Sequence, residues 1–163
     1  MTETVRILVI DDDESIRKTI SKALEMEGYK VDVAENGTEA IQKTQANFYN
    51  LALIDIRLPD MQGTKLLSAM KDTTPTMVKI ILTGYPALDN AIEAVNRGAD
   101  SYITKPVKMD ELIERVKKLV KKQQEETEYS QEKVAEYVEA RIKELETRKE
   151  QTSENDDRQP EQH

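Results

Sequence analysis

Three stretches of nearly unbroken apolar character constrain this chain more than any other feature. Val5–Ile10 is interrupted only by Arg6, Val78–Leu82 only by Lys79, and Leu51–Ile54 not at all. A strand with one wet face alternates apolar and polar residues. Continuous runs of this length instead suit strands buried on both faces of a parallel sheet. Val31–Ala34 and Ser101–Thr104 are shorter strand candidates. Between the runs, apolar residues recur at helical spacing: Ile16, Ile20, Ala23 and Leu24, then Ala40, Ile41 and Thr44, then Ala91, Ile92 and Val95. Two of these helices close on a glycine followed by a strand, at Gly28 and Gly98, where a left-handed residue ends a helix without steric cost. The alternation predicts five βα units with right-handed crossovers, hence a doubly wound α/β domain. Strand order is left open by the pattern.

The polar residues that close these runs point to chemistry. Val5–Ile10 ends in Asp11-Asp12-Asp13, Leu51–Ile54 in Asp55, Val78–Leu82 in Thr83, and Ser101–Thr104 in Lys105-Pro106. In a parallel sheet these ends share one edge, which is where open α/β sheets bind ligands. Two carboxylates about 4 Å apart repel by roughly 4 kcal/mol at an effective dielectric of about 20. A divalent cation relieves that repulsion, and an oxygen-only donor set suits Mg²⁺, with Mn²⁺ as the alternative. Metal and lysine together would neutralise a phosphoryl group, and one carboxylate could accept it as an acyl phosphate.

Each of these residues also has an ordinary reading. Asp after a strand is often just a helix N-cap, which is the ordinary role open to Asp13 or Ser15. Asp55 alone is more often a turn residue than a nucleophile, Thr83-Gly84 an ordinary turn, and Lys105 a solvated lysine. Four strands ending in complementary groups are hard to obtain by chance, and the joint pattern favours the functional reading.

Composition removes other classes. The 163 residues carry 24 basic and 32 acidic side chains, a formal net charge of −8. That is unfavourable for direct binding to nucleic acid or anionic lipid. There is no cysteine, and the single histidine is the last residue; disulfides, thiolate zinc sites and histidine-based triads are thereby excluded or left little room. No targeting signal or membrane-length apolar stretch is visible, so a cytoplasmic location without membrane insertion is expected. No glycine-rich phosphate loop comes after the first strand, which disfavours a P-loop or dinucleotide enzyme.

Taken together, Leu8-Val9-Ile10-Asp11-Asp12, Leu53-Ile54-Asp55 with Leu58-Pro59-Asp60 and Gly63, Ile81-Leu82-Thr83-Gly84, and Gly98-Ala99-Asp100-Ser101-Tyr102-Ile103-Thr104-Lys105-Pro106 form a specific set. On these motifs, over about residues 4–122, the sequence resembles the receiver domain of two-component response regulators. The resemblance implies a flavodoxin-like (βα)5 fold with strand order 2-1-3-4-5, an order for which a chemotaxis receiver is itself a standard example. It implies that Asp55 accepts a phosphoryl group from a phosphohistidine of a sensor histidine kinase or phosphotransfer protein. Asp12, Asp55 and the backbone carbonyl of Arg57 would hold Mg²⁺, with Asp11 acting mainly through a metal-bound water. Lys105, its bond to Pro106 expected cis, would pair with a phosphoryl oxygen. Thr83 would hydrogen-bond the phosphoryl group, and Tyr102 would swing inward as Thr83 moves. That movement would alter the face made by the fourth helix, fifth strand and fifth helix, a face that could also support a homodimer. Later loss of the phosphoryl group to water is expected, with Arg57 and Tyr85 standing where the family varies. Asp13 has no ligand role in the family pattern.

The charge is unevenly distributed. Residues 1–122 hold 18 basic and 19 acidic side chains, whereas residues 123–163 hold 6 and 13. All five glycines precede residue 99, and no glycine or proline lies between Pro106 and Pro160. The boundaries read as a receiver domain over 1–122, a charged helical extension over 123–150 and a disordered tail over 151–163. Leu112, Val116, Leu119 and Val120 form one apolar stripe, and Val134, Val138, Ile142 and Leu145 a second. No second core is visible beyond the domain, so a DNA-binding output is not expected and the downstream partner is a protein of unknown identity. The alternative is a scaffold or dimerisation module that works through its C-terminal helix, with phosphorylation secondary. A phosphatase with an aspartyl nucleophile is a third reading, but no insertion is long enough to supply a substrate cap.

Overall fold

A computed structural model describes residues 4–70, 72–73, 75–84 and 88–156, with the backbone alone at 88–91 and 152–156. Five strands and five helices alternate: β1 Arg6–Ile10, α1 Glu14–Met26, β2 Lys30–Ala34, α2 Gly37–Ala46, β3 Leu51–Asp55, α3 Gly63–Ala69, β4 Val78–Thr83, α4 Leu88–Asn96, β5 Ser101–Thr104 and α5 Met109–Asp156. All neighbouring strands are parallel, in the order β2-β1-β3-β4-β5. This is the doubly wound flavodoxin-like arrangement implied by the sequence motifs. The chain divides into two compact units, Met1–Gln123 and Gln124–His163.

Burial explains the apolar runs. β3 and β4 are buried at every position, and β1 from Ile7 onward. Alternate residues feed two cores. Ile7, Val9, Leu51, Leu53, Ile80 and Leu82 face Ile20 and Leu24 of α1 and Leu112, Val116 and Val120 of α5. Leu8, Ile10, Ala52, Ile54 and Ile81 face Ala40, Leu66, Leu67 and Ala94 of α2, α3 and α4. Burying one such side chain contributes about 1.5–3 kcal/mol, so the sheet is held from both sides. Gly28 and Gly98 adopt φ of 92° and 101°, the left-handed conformation expected where α1 and α4 hand over to a strand.

Helix α4 turns differently from its sequence pattern. Ala94 is fully buried, whereas Ile92 and Val95 are 50% and 63% exposed. The apolar residues of 91–95 span more arc than the sheet covers, so two of them face solvent; the side chain of Ala91 lies outside the described residues. Tyr85 also lies outside them.

The first compact unit extends to Gln123. Gln123 is buried, and its Nε2 donates to the carbonyl oxygens of Asn50 (3.0 Å) and Thr76 (2.7 Å). Its Oε1 accepts from Asn50 Nδ2 at 3.1 Å. A buried polar residue with its groups satisfied this way is part of that unit.

The second unit is helical to Asp156. Residues 157–163 of the expected disordered tail lie outside the described residues, and no glycine or proline interrupts the helical stretch. Ion pairs one turn apart line it: Lys133–Glu136, Arg141–Glu144 and Arg148–Glu144. Val134, Val138, Ile142 and Leu145 are all about half exposed or more. Among the described residues, no helix is long and apolar enough to cross a membrane.

The loop after β3 is tied down by two residues. Asp60 accepts from Gly37 N–H (2.8 Å), Thr38 N–H (2.9 Å) and Thr38 Oγ1 (2.7 Å), capping the N-terminus of α2 from a distant loop. Those bonds, that of Thr38 Oγ1 foremost, hold its carboxyl down at about 2. Gly63 lies against the backbone of the strand that precedes it. A Cβ there would come within 2.5 Å of the Asp55 carbonyl oxygen and 2.9 Å of Ile56 Cα, neither of which can yield as a side chain does.

Two outcomes are expected. Gly63→Ala should lower the urea-derived stability by about 1–3 kcal/mol, since backbone must move to admit the methyl group. Asp60 has a folded-state pKa below its ordinary value of 3.8, so its contribution is complete above that value and is lost as pH falls toward 2. The stability difference between wild type and Asp60→Asn, read from denaturation midpoints, should be present at pH 6 and vanish between about pH 4 and 2.

Candidate phosphoryl-acceptor site

The site lies at the carboxyl ends of β1, β3, β4 and β5, the edge at which parallel sheets of this type present ligand groups. Asp11 and Asp12 come directly after β1, Asp55 ends β3, Thr83 ends β4, and Lys105 comes directly after β5. The structure therefore brings together the carboxylates, the hydroxyl residue and the lysine that the sequence placed at strand ends. One carboxylate oxygen from each of Asp11, Asp12 and Asp55 can be chosen so that all three lie within 4.8 Å of one another. Asp11 is fully buried, Asp55 is buried and Asp12 is exposed.

Lys105 answers part of this negative charge. Its Nζ lies 3.0 Å from Asp11 Oδ2 and 3.4 Å from Asp55 Oδ2. Its main-chain N–H donates to the Thr83 carbonyl oxygen at 2.6 Å, and its bond to Pro106 is cis. Burial alone would lower the ammonium pKa, but the hydrogen bond and charge of Asp11, together with those of Asp55, outweigh it and raise the value. The lysine is thus a fixed cation.

Asp55 moves the other way. Burial is the largest influence and pushes its carboxyl pKa up, reinforced by the Asp11 charge. The Arg57 N–H, which donates to Asp55 Oδ1 at 3.1 Å, and the Lys105 charge oppose this without cancelling it. The ionised carboxylate is therefore less favourable here than in water. One ammonium does not neutralise three carboxylates, and the donor set is oxygen only. Such a cluster fits a hard divalent cation.

The remaining residues fall into place around it. Thr83 is fully buried, and Thr104 is its register partner across β4 and β5. Tyr102 is half-buried, pairs in register with Ile81 and packs against the core beneath α2–α4. Arg57 is exposed, two residues beyond Asp55. Asp13 is the N-cap of α1, its side chain accepting from Ile16 N–H at 3.2 Å. Sequence reasoning missed Arg17. Its guanidinium is buried and donates to the Asp11 carbonyl oxygen at 2.8 Å. The available signal was a cation at position 17 in helical register with Ile20 and Leu24, on the buried face of α1.

Comparison with known proteins agrees with this geometry. The family model of the response regulator receiver domain matches residues 7–117. Over 110 residues the chain is 38% identical to the transcriptional regulatory protein ZraR of Klebsiella oxytoca, covering 68% of this chain and 25% of that protein. Over 126 residues it is 31% identical to the uncharacterized transcriptional regulatory protein YkoG of Bacillus subtilis, covering 77% and 55% respectively. The chain thus spans between a quarter and about half the length of these curated relatives. A crystal structure of a CheY-like response regulator receiver domain protein from Methanospirillum hungatei superposes with a TM-score of 0.73 at 44% identity, covering 76% of this chain and 99% of that one. The receiver domain of a putative LuxO repressor protein from Vibrio parahaemolyticus gives 0.71 at 27% identity, covering 76% and 95%. With a family model matching two thirds of its length and the fold and sheet-edge cluster described above, the chain belongs to the response regulator receiver domain family.

Proposed function

We propose that Asp55 accepts a phosphoryl group from a phosphohistidine on a sensor histidine kinase or phosphotransfer protein. The observation that carries this reading is the convergence of the Asp11, Asp12 and Asp55 carboxylates within 4.8 Å, with Lys105 Nζ 3.0 and 3.4 Å from two of them. A carboxylate oxygen of Asp55 attacks phosphorus. The P–N bond of the donor breaks, its electron pair stays on the imidazole nitrogen, and that nitrogen takes a proton. Lys105 offers its ammonium to a phosphoryl oxygen and shifts from its aspartate partners as it does so. Asp11, Asp12, Asp55 and the main-chain carbonyl of Arg57 would hold Mg²⁺, or Mn²⁺, which would supply positive charge to the phosphoryl oxygens and the carboxylates around them. Water returns Asp55 to its free form and releases inorganic phosphate.

The output is a change of surface. A phosphoryl group adds about −1.5 to −2 charges and three acceptor oxygens beside Thr83 and Lys105. Thr83 turns toward it, Tyr102 moves with it, and the balance between two populated states shifts. The exposed Ile92 and Val95 of α4 place apolar contact area on the face that responds, which suits a protein partner. A cytoplasmic location accords with this partner class.

A second reading is favoured by the exposed stripe of Val134, Val138, Ile142 and Leu145 in the Gln124–His163 unit. In that reading the helix is a docking or dimerising element and phosphorylation is secondary.

Intact mass after incubation with acetyl phosphate and Mg²⁺ tests the first reading. One phosphoryl adduct is expected in wild type, with none in Asp55→Asn and none when Mg²⁺ is chelated. No adduct from either acetyl phosphate or a phosphohistidine donor would overturn it. Sedimentation velocity of the Val138→Glu/Ile142→Glu variant tests the second, which expects a lighter species than wild type; identical profiles with monomeric wild type would remove dimerisation through the stripe.

A further inference from the structure

We infer that Arg17 is a positioning residue for the acidic trio: its buried guanidinium grips the Asp11 carbonyl oxygen, fixes the peptide that carries Asp12, and so sets the affinity of the site for a divalent cation. The inference rests on the reading of Asp11, Asp12 and Asp55 as a cation site.

Asp11 is held at every group it has. Its N–H donates to the Ala34 carbonyl oxygen at 3.1 Å, continuing the β1–β2 ladder. Its Oδ1 accepts from Asp13 N–H at 2.9 Å, and its Oδ2 meets Lys105 Nζ at 3.0 Å. Its carbonyl oxygen accepts from Arg17 Nη1 at 2.8 Å. Asp12 is different. It is exposed, and among the described residues no hydrogen bond or ion pair holds its carboxylate. Where that carboxylate sits depends on the backbone that carries it, and its N-terminal peptide is the Asp11 carbonyl that Arg17 binds.

The arrangement closes on itself through α1. Arg17 N–H donates to the Asp13 carbonyl oxygen at 3.0 Å, and Asp13 caps the same helix. Residues 11–13 are therefore gripped from both the side chain and the main chain of Arg17. On the far side, Arg17 Nη2 lies 3.5 Å from Glu35 Oε1, just beyond the end of β2. One planar group thus ties the ends of β1 and β2 to the first turn of α1. A guanidinium suits this better than an ammonium because its donors diverge in a fixed plane. Removing it leaves a buried carbonyl oxygen unpaired, which the backbone relieves by rotating.

Two physical roles predict opposite signs. If Arg17 mattered only as a positive charge, it would repel a cation, and removing it would tighten binding. If it orients the Asp11–Asp12 peptide, removing it weakens binding. Loss of groups that orient metal ligands typically costs about 10–100-fold in affinity.

The test is Mn²⁺ affinity by electron paramagnetic resonance on the folded full chain, for wild type, Arg17→Gln and Arg17→Lys, with urea denaturation in parallel. Arg17→Gln is expected to weaken Mn²⁺ binding about tenfold, and Arg17→Lys to lie between it and wild type. The Mg²⁺ concentration giving half-maximal phosphorylation by acetyl phosphate should rise by a similar factor, with the rate at saturating Mg²⁺ little changed; a merely structural role would not produce that split. Affinity of Arg17→Gln within twofold of wild type, or tighter, overturns the inference. Should Arg17→Gln fail to fold, Arg17→Lys decides: binding weaker by more than twofold supports it and binding within twofold overturns it. A wild type that binds no Mn²⁺ overturns the cation site itself, and the inference with it.

Discussion

The opposition between three carboxylates and one ammonium organises this structure. Parallel strands put Asp11, Asp12 and Asp55 at one sheet edge whether or not that is electrostatically comfortable. Lys105 relieves Asp11 and Asp55 but leaves the cluster net negative. Burial pushes the Asp55 carboxyl pKa up, and the Asp11 charge adds to that shift. A divalent cation would relieve that conflict, and the oxygen-only donor set fits one.

The surrounding fold keeps the charges from moving apart. Asp60 caps α2 from the loop after β3, and Gly63 lets α3 begin against the backbone of Asp55 itself. Arg17 grips the other side through the Asp11 carbonyl. The Lys105 main chain is bonded to Thr83, so movements of these two residues are mechanically linked. Both cores press on the sheet, and α1 and α5 share one of them.

Much of this was legible in the sequence for a physical reason. Strands buried on both faces must be apolar throughout, and groups at their ends stand out against that background, so Asp11, Asp55, Thr83 and Lys105 could be placed without the structure. Strand order could not be read from periodicity, which carries no information on which strands are neighbours; only the motifs implied it. Helix α3, seven residues long, has no repeat long enough to show a period. Arg17 and Gln123 escaped notice because a buried polar side chain is revealed by its partners, and those lie distant in the chain for Gln123, at Asn50 and Thr76. Exposure of Ile92 and Val95 escaped for the opposite reason: an apolar residue at helical spacing is presumed inside until the packing face is known.

The central claim is that the acidic cluster is destabilising until a cation joins it, and thermal unfolding as Mg²⁺ is titrated tests it most directly. A folded-state carboxyl pKa above its ordinary value means that the ionised form lowers stability once pH exceeds that ordinary value. Without metal at neutral pH, Asp55→Asn should therefore unfold at a higher temperature than wild type. Adding Mg²⁺ should raise the wild-type midpoint progressively, as binding to the folded state alone requires, and raise the variant's far less. A wild type more stable than Asp55→Asn without metal, with a midpoint indifferent to Mg²⁺, would contradict the account.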